Sequence, residues 1–278
     1  MVRKVLIVED EPDMAALMAQ VLRLRGFDSH AMITGKGAAS WVSENRPDVV
    51  LLDLMLPDIS GYDICKDIKL DRETNLTPVV FVTALGERQD RIHGLQVGGN
   101  GHLTKPFTID QLHGVVEKAL EWRAEMEKAG AQGDIHFQLK SDTQYLDELN
   151  DLTASLFHYT GLTAEQVHQL TTAVREMGAN AIEWGHRKQV DLPVTVTYRI
   201  DADKVTIVIR DKGPGFDPNS VRHASDPEDP GAHMELREQL GLRVGGFGIL
   251  LARGLVDDLQ YNETGNEVRL VKHFAPAM

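Results

Sequence analysis

Five side chains in the first 105 residues have the types and spacing to handle a phosphoryl group. They are Glu9 and Asp10 after the run KVLIV, Asp53 after VVLL, Thr83 in PVVFVTA, and Lys105 just before Pro106. Each sits at the end of a short apolar stretch. Three carboxylates gathered in one place cannot all stay ionised unless a cation offsets them. Donors that are all oxygen suit Mg²⁺, which keeps some of its waters and prefers octahedral geometry. Such an ion, held by Glu9, Asp10 and Asp53, also neutralises an incoming phosphoryl group, so that Asp53 can act as nucleophile. Lys105 supplies a fixed positive charge for the phosphoryl oxygens. Thr83 supplies a hydroxyl that can turn toward them.

A second constellation lies in the other half of the chain. Glu176 and Asn180, in REMGANA, are four residues apart and would share one face of a helix. Asp211 opens DKGPGF, and Gly245, Gly246 and Gly248 lie in GGFGI. These residues fit a nucleotide. Glycines at a helix N-terminus let backbone N–H groups meet phosphate. The amide of Asn180 can ligate Mg²⁺ without adding negative charge beside a triphosphate. Asp211 offers an acceptor for an exocyclic amine such as that of adenine. Gly213 and Gly215 let a base approach the backbone closely. A lone GGFG is more often a turn with a tight helix contact, so the weight rests on the three motifs occurring together.

The elements needed to position these groups can be read from apolar periodicity. KVLIVED (4–10), DSHAMIT (28–34), DVVLLDL (48–54), PVVFVTA (78–84) and GHLTKP (101–106) read as strands. VLIV and VVLL are apolar on both faces, as a covered parallel strand must be. Residues 12–25, 35–45, 61–70 and 87–97 carry helical spacing between them. This alternation predicts an α/β domain with a doubly wound, five-stranded parallel sheet. In such a sheet ligands bind beyond the carboxyl ends of the strands, where the five side chains lie.

A further helix is expected from Ile109 to about Lys128. Leu112, Val115, Ala119, Trp122 and Met126 recur at spacings of three and four. This stripe is either a short coiled-coil-like seam, offering a route to a homodimer, or a first half packed on the sheet with a solvated extension. The segment Ala129-Gly130-Ala131-Gln132-Gly133 then breaks the helix. Beyond it the pattern changes to strands at 135–141, 194–200, 204–211 and 267–274, and helices at about 143–159 and 163–185. A polar, Pro-rich loop spans 217–232, and a Gly-rich helix start lies at 245–248. Antiparallel strands with segregated helices predict an α/β sandwich. The expected division is a domain at 1–122, a helical extension and linker at 123–134, and a second domain at 135–278.

Composition narrows the function classes. The chain has 278 residues, 42% hydrophobic and 26% charged, enough for two ordinary domains. Its apolar runs are short of the roughly 20 residues that span a bilayer, and the N-terminus turns acidic after one short run, so a cytoplasmic protein is expected. A net charge of −13 argues against sequence-independent nucleic-acid binding. The single cysteine, Cys65, excludes an internal disulfide and falls in an apolar helical pattern that suits buried packing.

The N-terminal motifs VLIVEDEPDM, DVVLLDLMLPDISGYDIC, VVFVTA and HLTKPF resemble, in order and spacing, the flavodoxin-like receiver domain of two-component response regulators. The resemblance covers about residues 1–122. It implies that Asp53 is phosphorylated by an upstream histidine kinase, that the Met55 carbonyl joins Glu9 and Asp10 around Mg²⁺, and that Lys105-Pro106 is cis. The family usually has an acidic residue and a Tyr or Phe just before the Lys-Pro step; here Gly98-Gly99-Asn100-Gly101-His102 stands there, with His102 at the aromatic switch position beside Thr83 and Lys105.

The C-terminal motifs REMGANA, DKGPGFDP, GGFGILLARGLVD and GNEVRLVK resemble the Bergerat-fold ATPases, and among them the anti-sigma-factor serine kinases, over about residues 134–275. The resemblance implies ATP and Mg²⁺ as cofactors, with Asn180 on Mg²⁺, Asp211 on adenine, and Gly213, Gly215, Gly245, Gly246 and Gly248 shaping the pocket. It gives Glu176 the role of general base and residues 217–244 that of ATP lid. Arg243 would be a phosphate contact there, though a solvated arginine is the plainer reading. The lid's length and acidity also suit a protein partner.

Two functions follow as expectations. One is a response regulator whose output is an ATP-dependent serine/threonine kinase acting on a STAS-type anti-anti-sigma protein or a similar partner. The other is a nucleotide-binding module with little catalysis that sequesters a sigma factor or antagonist. A hybrid histidine kinase fits poorly, since His158 is followed by Tyr-Thr-Gly and His168 by Gln-Leu-Thr, not by an acid. A transcription factor fits poorly too, because no basic recognition helix follows the first domain.

Overall fold

The computed structural model describes residues 2–84, 95–157, 160–186, 189, 192–216 and 247–275. Contacts divide the chain into two units: residues 1–91 with 96–136, and residues 92–95 with 137–278. The first unit holds β1 (Lys4–Val8), α1 (Pro12–Leu24), β2 (Asp28–Met32), α2 (Ala38–Asn45), β3 (Val49–Asp53), α3 (Gly61–Leu70), β4 (Val79–Ala84), β5 (Leu95–Gly98), β6 (Gly101–Lys105) and α4 (Ile109–Lys128). Its sheet is five-stranded and parallel, ordered β2-β1-β3-β4-β6. β3 is buried at every residue, as expected of a central strand covered on both faces.

Two sequence expectations change here. Helical spacing over 87–97 does not carry through to its end, because Leu95–Gly98 is strand β5; residues 85–94 lie outside the described residues. Gly98 and Gly99 are each about 1 kcal/mol worse than alanine in a helix. Gly99 also packs where a Cβ would come within 2.7 Å of the Val79 carbonyl oxygen. In α4, the core side chains are Leu112, Val116, Ala119 and Leu120, packed with Val5, Leu51 and Leu103. The first half of the helix therefore packs on the sheet. Leu112 and Ala119 are spent there, so a continuous seam from Leu112 to Met126 is not left free. Arg123 also turns back to the first unit, donating to the carbonyl oxygens of Pro47 and Asp48 at 3.1 and 3.4 Å.

The second unit contains most of β7 (Gly133–Lys140), then α5 (Gln144–Phe157), α6 (Ala164–Asn180), a π-helical turn (Ala181–Gly185), β8 (Pro193–Ile200), β9 (Lys204–Arg210), α7 (Gly248–Leu255), β10 (Asp258–Tyr261) and β11 (Glu267–His273). Strands follow one another in the order β10-β11-β9-β8-β7, and β10/β11, β11/β9 and β9/β8 pair antiparallel. β8 and β9 alternate strictly. Val194, Val196, Tyr198, Ile200, Val205, Ile207 and Ile209 are buried, and the residues between them are partly open. This is the pattern of a sheet with one covered face. α6 packs against α5, α7, β9 and β11. It starts at a capping box in which Thr163 Oγ1 and Gln166 satisfy each other's backbone N–H groups. Sequence reading missed β10, whose DLQY carries only a weak strand signal.

Lys69 is a buried cation inside the first unit. Its ammonium donates to the carbonyl oxygens of Asn75 and Thr77, each at 3.0 Å, and lies 5.1 Å from the Trp122 ring centroid. These contacts tie the α3–β4 connection to α4. Burial pulls Lys69 down to about 8, against the opposing charges of Cys65 and Asp134. The folded state then binds fewer protons than the unfolded state between about 8 and the ordinary lysine range. The contribution of Lys69 to the stability of this unit should accordingly rise with pH through that window, by at most about 1.4 kcal/mol per pH unit, while the buried Cys65 thiol, pushed up to about 12, contributes a falling slope above the ordinary thiol range. Denaturant titrations across mildly alkaline pH should show stability falling more steeply with pH in Lys69→Met than in the parent chain.

Candidate functional site

The parallel sheet brings all five of its sequence-nominated groups to one edge, Asp10 beside Glu9. Glu9 follows β1, Asp53 ends β3, Thr83 is near the end of β4 and Lys105 ends β6. Asp53 stands opposite Val82 in register, and Lys105 opposite Ala84. Oxygen atoms of Glu9, Asp10 and Asp53 lie within 4.8 Å of one another, and this is the one such cluster among the described residues. Glu9 and Asp53 are buried, at 1% and 6% exposure, and Asp10 is open. The Lys105 ammonium sits 2.5 Å from Asp53 Oδ2 and 2.7 Å from Glu9 Oε2.

This geometry has clear electrostatic consequences. Burial pushes the Glu9 carboxyl up, Lys105 pulls it back by hydrogen bond and charge, and Asp53 adds to the rise; the net shift is upward. Burial works against the Lys105 ammonium, but its bonds to Asp53 and Glu9 prevail and hold it above the ordinary lysine range. One lysine therefore compensates two buried acids. The third acid faces solvent, where an all-oxygen triad fits Mg²⁺.

Backbone groups fix the Asp53 carboxylate. The Met55 amide donates to Asp53 Oδ1 at 2.9 Å, while the Met55 side chain is exposed. Gly61, at the start of α3, donates to the Leu54 carbonyl at 3.1 Å, and a Cβ there would overlap the Asp53 carbonyl oxygen. The Asp58 carboxylate accepts from the Gly35 and Lys36 amides at 3.0 and 2.8 Å, which ties the β3–α3 loop to the β2–α2 loop. Lys105-Pro106 is cis. Thr83 is buried at the strand end. His102 packs its ring 5.5 Å from that of Phe81, which in turn meets Tyr62 at 5.3 Å. The histidine thus joins an aromatic row.

In the second unit, Glu176 and Asn180 share the face of α6 that meets the start of α7. A Cβ on Gly248 would come within 2.8 Å of Glu176 Oε2 and 3.5 Å of Asn180 Nδ2. The α7 N-terminus thus lies directly against the acid–amide pair. Asp211 follows β9 and is buried at 8% exposure. Burial pushes its carboxyl up, against the Gly213 N–H, which donates to Oδ1 at 2.7 Å, and the neighbouring His186. Gly215 has φ +73° and Gly265 φ +76°; a Cβ on either would overlap the backbone of the other's turn. Phe216 packs edge-on to Tyr261 at 5.0 Å, and Tyr261 Oη donates to Met177 Sδ at 3.4 Å. Gly245, Gly246 and the lid at 217–244 lie outside the described residues.

Three participants were not singled out from sequence: Gly185, His186 and Gly265. A Cβ on Gly185 would overlap the Asp211 carboxyl group. The signal was present as the Trp184-Gly185-His186 step, four to six residues after Asn180, but it gains meaning only once the π turn brings it to the Asp211 turn.

Gly61→Ala should force the Asp53 backbone to move and should weaken Mg²⁺ binding at the acidic cluster. A calorimetric Mg²⁺ titration checks this, with Gly114→Ala, where a Cβ meets open space in helical backbone, as the control. Lys105→Met should act in the opposite direction, tightening Mg²⁺ several-fold by removing the competing cation.

Comparison with known proteins agrees with both halves. Residues 5–117 match the response regulator receiver domain family, and residues 139–272 match the histidine kinase-like ATPase domain family. The transcriptional regulator RpaA of Synechocystis is 31% identical over 132 residues, 48% of this chain and 55% of RpaA. TcrA of Mycobacterium tuberculosis is 42% identical over 109 residues, 39% of this chain and 42% of TcrA. The chain thus spans about half the length of these two curated relatives. Response regulator ArlR of Staphylococcus saprophyticus is 30% identical over 199 residues, 70% of this chain and 86% of ArlR. By these matches the chain belongs to the response regulators, and its receiver domain is followed by a histidine kinase-like ATPase domain.

Proposed function

We propose that this response regulator accepts a phosphoryl group on Asp53 and delivers its signal through an ATP-dependent protein serine/threonine kinase. The upstream donor is a histidine kinase. An Asp53 oxygen forms the new bond to phosphorus as the donor's N–P bond breaks. Glu9, Asp10, Asp53 and the Met55 carbonyl would hold Mg²⁺, which supplies charge neutralisation for the phosphoryl oxygens. Lys105 already sits beside Asp53 and can move its charge onto the transferred group. Thr83 and His102 complete the switch.

In the output domain, Asn180 would carry Mg²⁺ beside the triphosphate, Asp211 would accept from the adenine amine, and Gly213, Gly215, Gly245, Gly246 and Gly248 would leave room for base and phosphates. Glu176 is the general base that takes the proton from a substrate serine or threonine. The observation that carries this reading is the closeness of Gly248 to both Glu176 and Asn180. It sets a carboxylate and an amide against a helix N-terminus, where phosphate oxygens are favoured. The substrate is a STAS-type anti-anti-sigma protein or a similar small partner, and phosphorylation of Asp53 sets the rate of transfer.

Glu176→Gln should lower phosphoryl transfer to the partner by roughly 10²–10⁴-fold while leaving MgATP affinity nearly unchanged. Phosphoserine detection and calorimetry on the same preparations check the two halves of that statement. Undiminished transfer in the variant would remove Glu176 from the mechanism. ATP-dependent capture of the partner without phosphoserine would replace catalysis by sequestration of a sigma factor or antagonist. Asp53→Asn should abolish labelling of the receiver and any dependence of the output on it.

A further inference from the structure

The Asp211 turn rests on a buried histidine for which the proposed chemistry has no use. His186 ends the π-helical turn that follows α6, and it is 1% exposed. The Lys212 amide donates to its Nε2 at 2.7 Å. A ring nitrogen that accepts carries no proton, so the imidazole proton is on Nδ1. Nδ1 lies 2.5 Å from Ser141 Oγ and donates to it. Ser141 in turn donates to the Leu192 carbonyl at 2.7 Å. The network thus runs in one direction, with each donor meeting one acceptor, and it needs a neutral ring.

The same histidine is locked to the Asp211 carboxylate through glycines. Gly185 precedes it, and a Cβ there would overlap the Asp211 carboxyl group. A Cβ on Gly213 would overlap the Gly185 carbonyl oxygen. Lys212 lies between Asp211 and Gly213, so the amide held by His186 is the middle of the turn whose next N–H is on Asp211 Oδ1.

We propose that His186 is a positioning residue for nucleotide binding: its neutral imidazole, held between Ser141 and the Lys212 amide, fixes the turn that presents Asp211, and it releases that turn when it gains a proton. The inference rests on the reading that Asp211 meets the adenine amine. Protonation would make Nε2 a donor facing another donor, the Lys212 N–H, in a site without water access. Three influences act on the ring. Burial disfavours the proton most strongly, the Asp211 charge favours it, and the Lys212 charge disfavours it; the net shift is downward. The ring is therefore neutral at neutral pH and takes up its proton on the acid side.

The test is calorimetric titration of MgATP into the full chain from mildly alkaline to mildly acidic pH, comparing the parent with His186→Gln and His186→Phe. Glutamine keeps an acceptor and does not titrate, whereas phenylalanine keeps the bulk and orphans the Lys212 amide. His186→Phe should weaken binding by about tenfold at neutral pH, the cost of one unsatisfied buried donor. His186→Gln should bind close to the parent at neutral pH but lose less affinity on acidification. Titration of ATP is common to both chains, and the Asp211 carboxyl feels His186 only through the charge the ring gains, so the difference between the curves belongs to protonation of His186. Superimposable pH curves for parent and His186→Gln would overturn the proposal even if His186→Phe did not fold, and so would parental affinity in His186→Phe. No MgATP binding by the parent at any pH would instead overturn the nucleotide reading, and this proposal with it.

Discussion

Burying a carboxylate requires compensation, and both halves of this protein are organised around meeting that requirement. In the receiver domain one ammonium, that of Lys105, lies between Asp53 and Glu9. The lysine comes from the last strand of the sheet and the acids from two others, so the ion pairs form only when β1, β3 and β6 are in their native order. Breaking such a pair by removing one partner costs about 3–5 kcal/mol in typical buried cases. The arrangement also leaves a countercharge standing beside the Asp53 carboxylate at the edge of the sheet.

The output domain compensates its buried acid differently. Among the described residues, a backbone N–H from Gly213 and the packing of Gly185 hold Asp211. Its pKa is raised by burial, in keeping with weaker compensation. On the proposed reading, Asp211 accepts a hydrogen bond from the adenine amine, while Asp53, paired with Lys105, acts as a nucleophile beside a cation. The two carboxylates differ in chemistry because their surroundings differ, although each sits at the carboxyl end of a strand.

Glycines do the corresponding steric work. Gly61 lets α3 lie against the end of β3, Gly248 lets α7 approach Glu176 and Asn180, and Gly215 with Gly265 lets two turns interlock. At Gly215 and Gly265 the backbone is also left-handed, which side chains with a Cβ rarely tolerate. Each is a point where backbone rather than side chain forms the contact.

The sequence alone determined the receiver almost completely. Its strands are apolar on both faces, its helices have clean spacing, and its nominated acids and lysine end those strands, so topology follows from alternation and their meeting at one edge from the strand-end rule. It also determined the pairing of Glu176 with Asn180, because helix periodicity is local. Tertiary structure decided what depends on contacts distant in sequence. The strand at Leu95–Gly98 in place of a helix end, the use of Leu112 and Ala119 in the domain's own core, and the interlocking of Gly185 and His186 with the Asp211 turn are of this kind. No local pattern marks them, since a residue's hydrogen-bond partner dozens of positions away leaves no period in the sequence. Ser141, His186 and Lys212 became a network only when three separate segments were folded against one another.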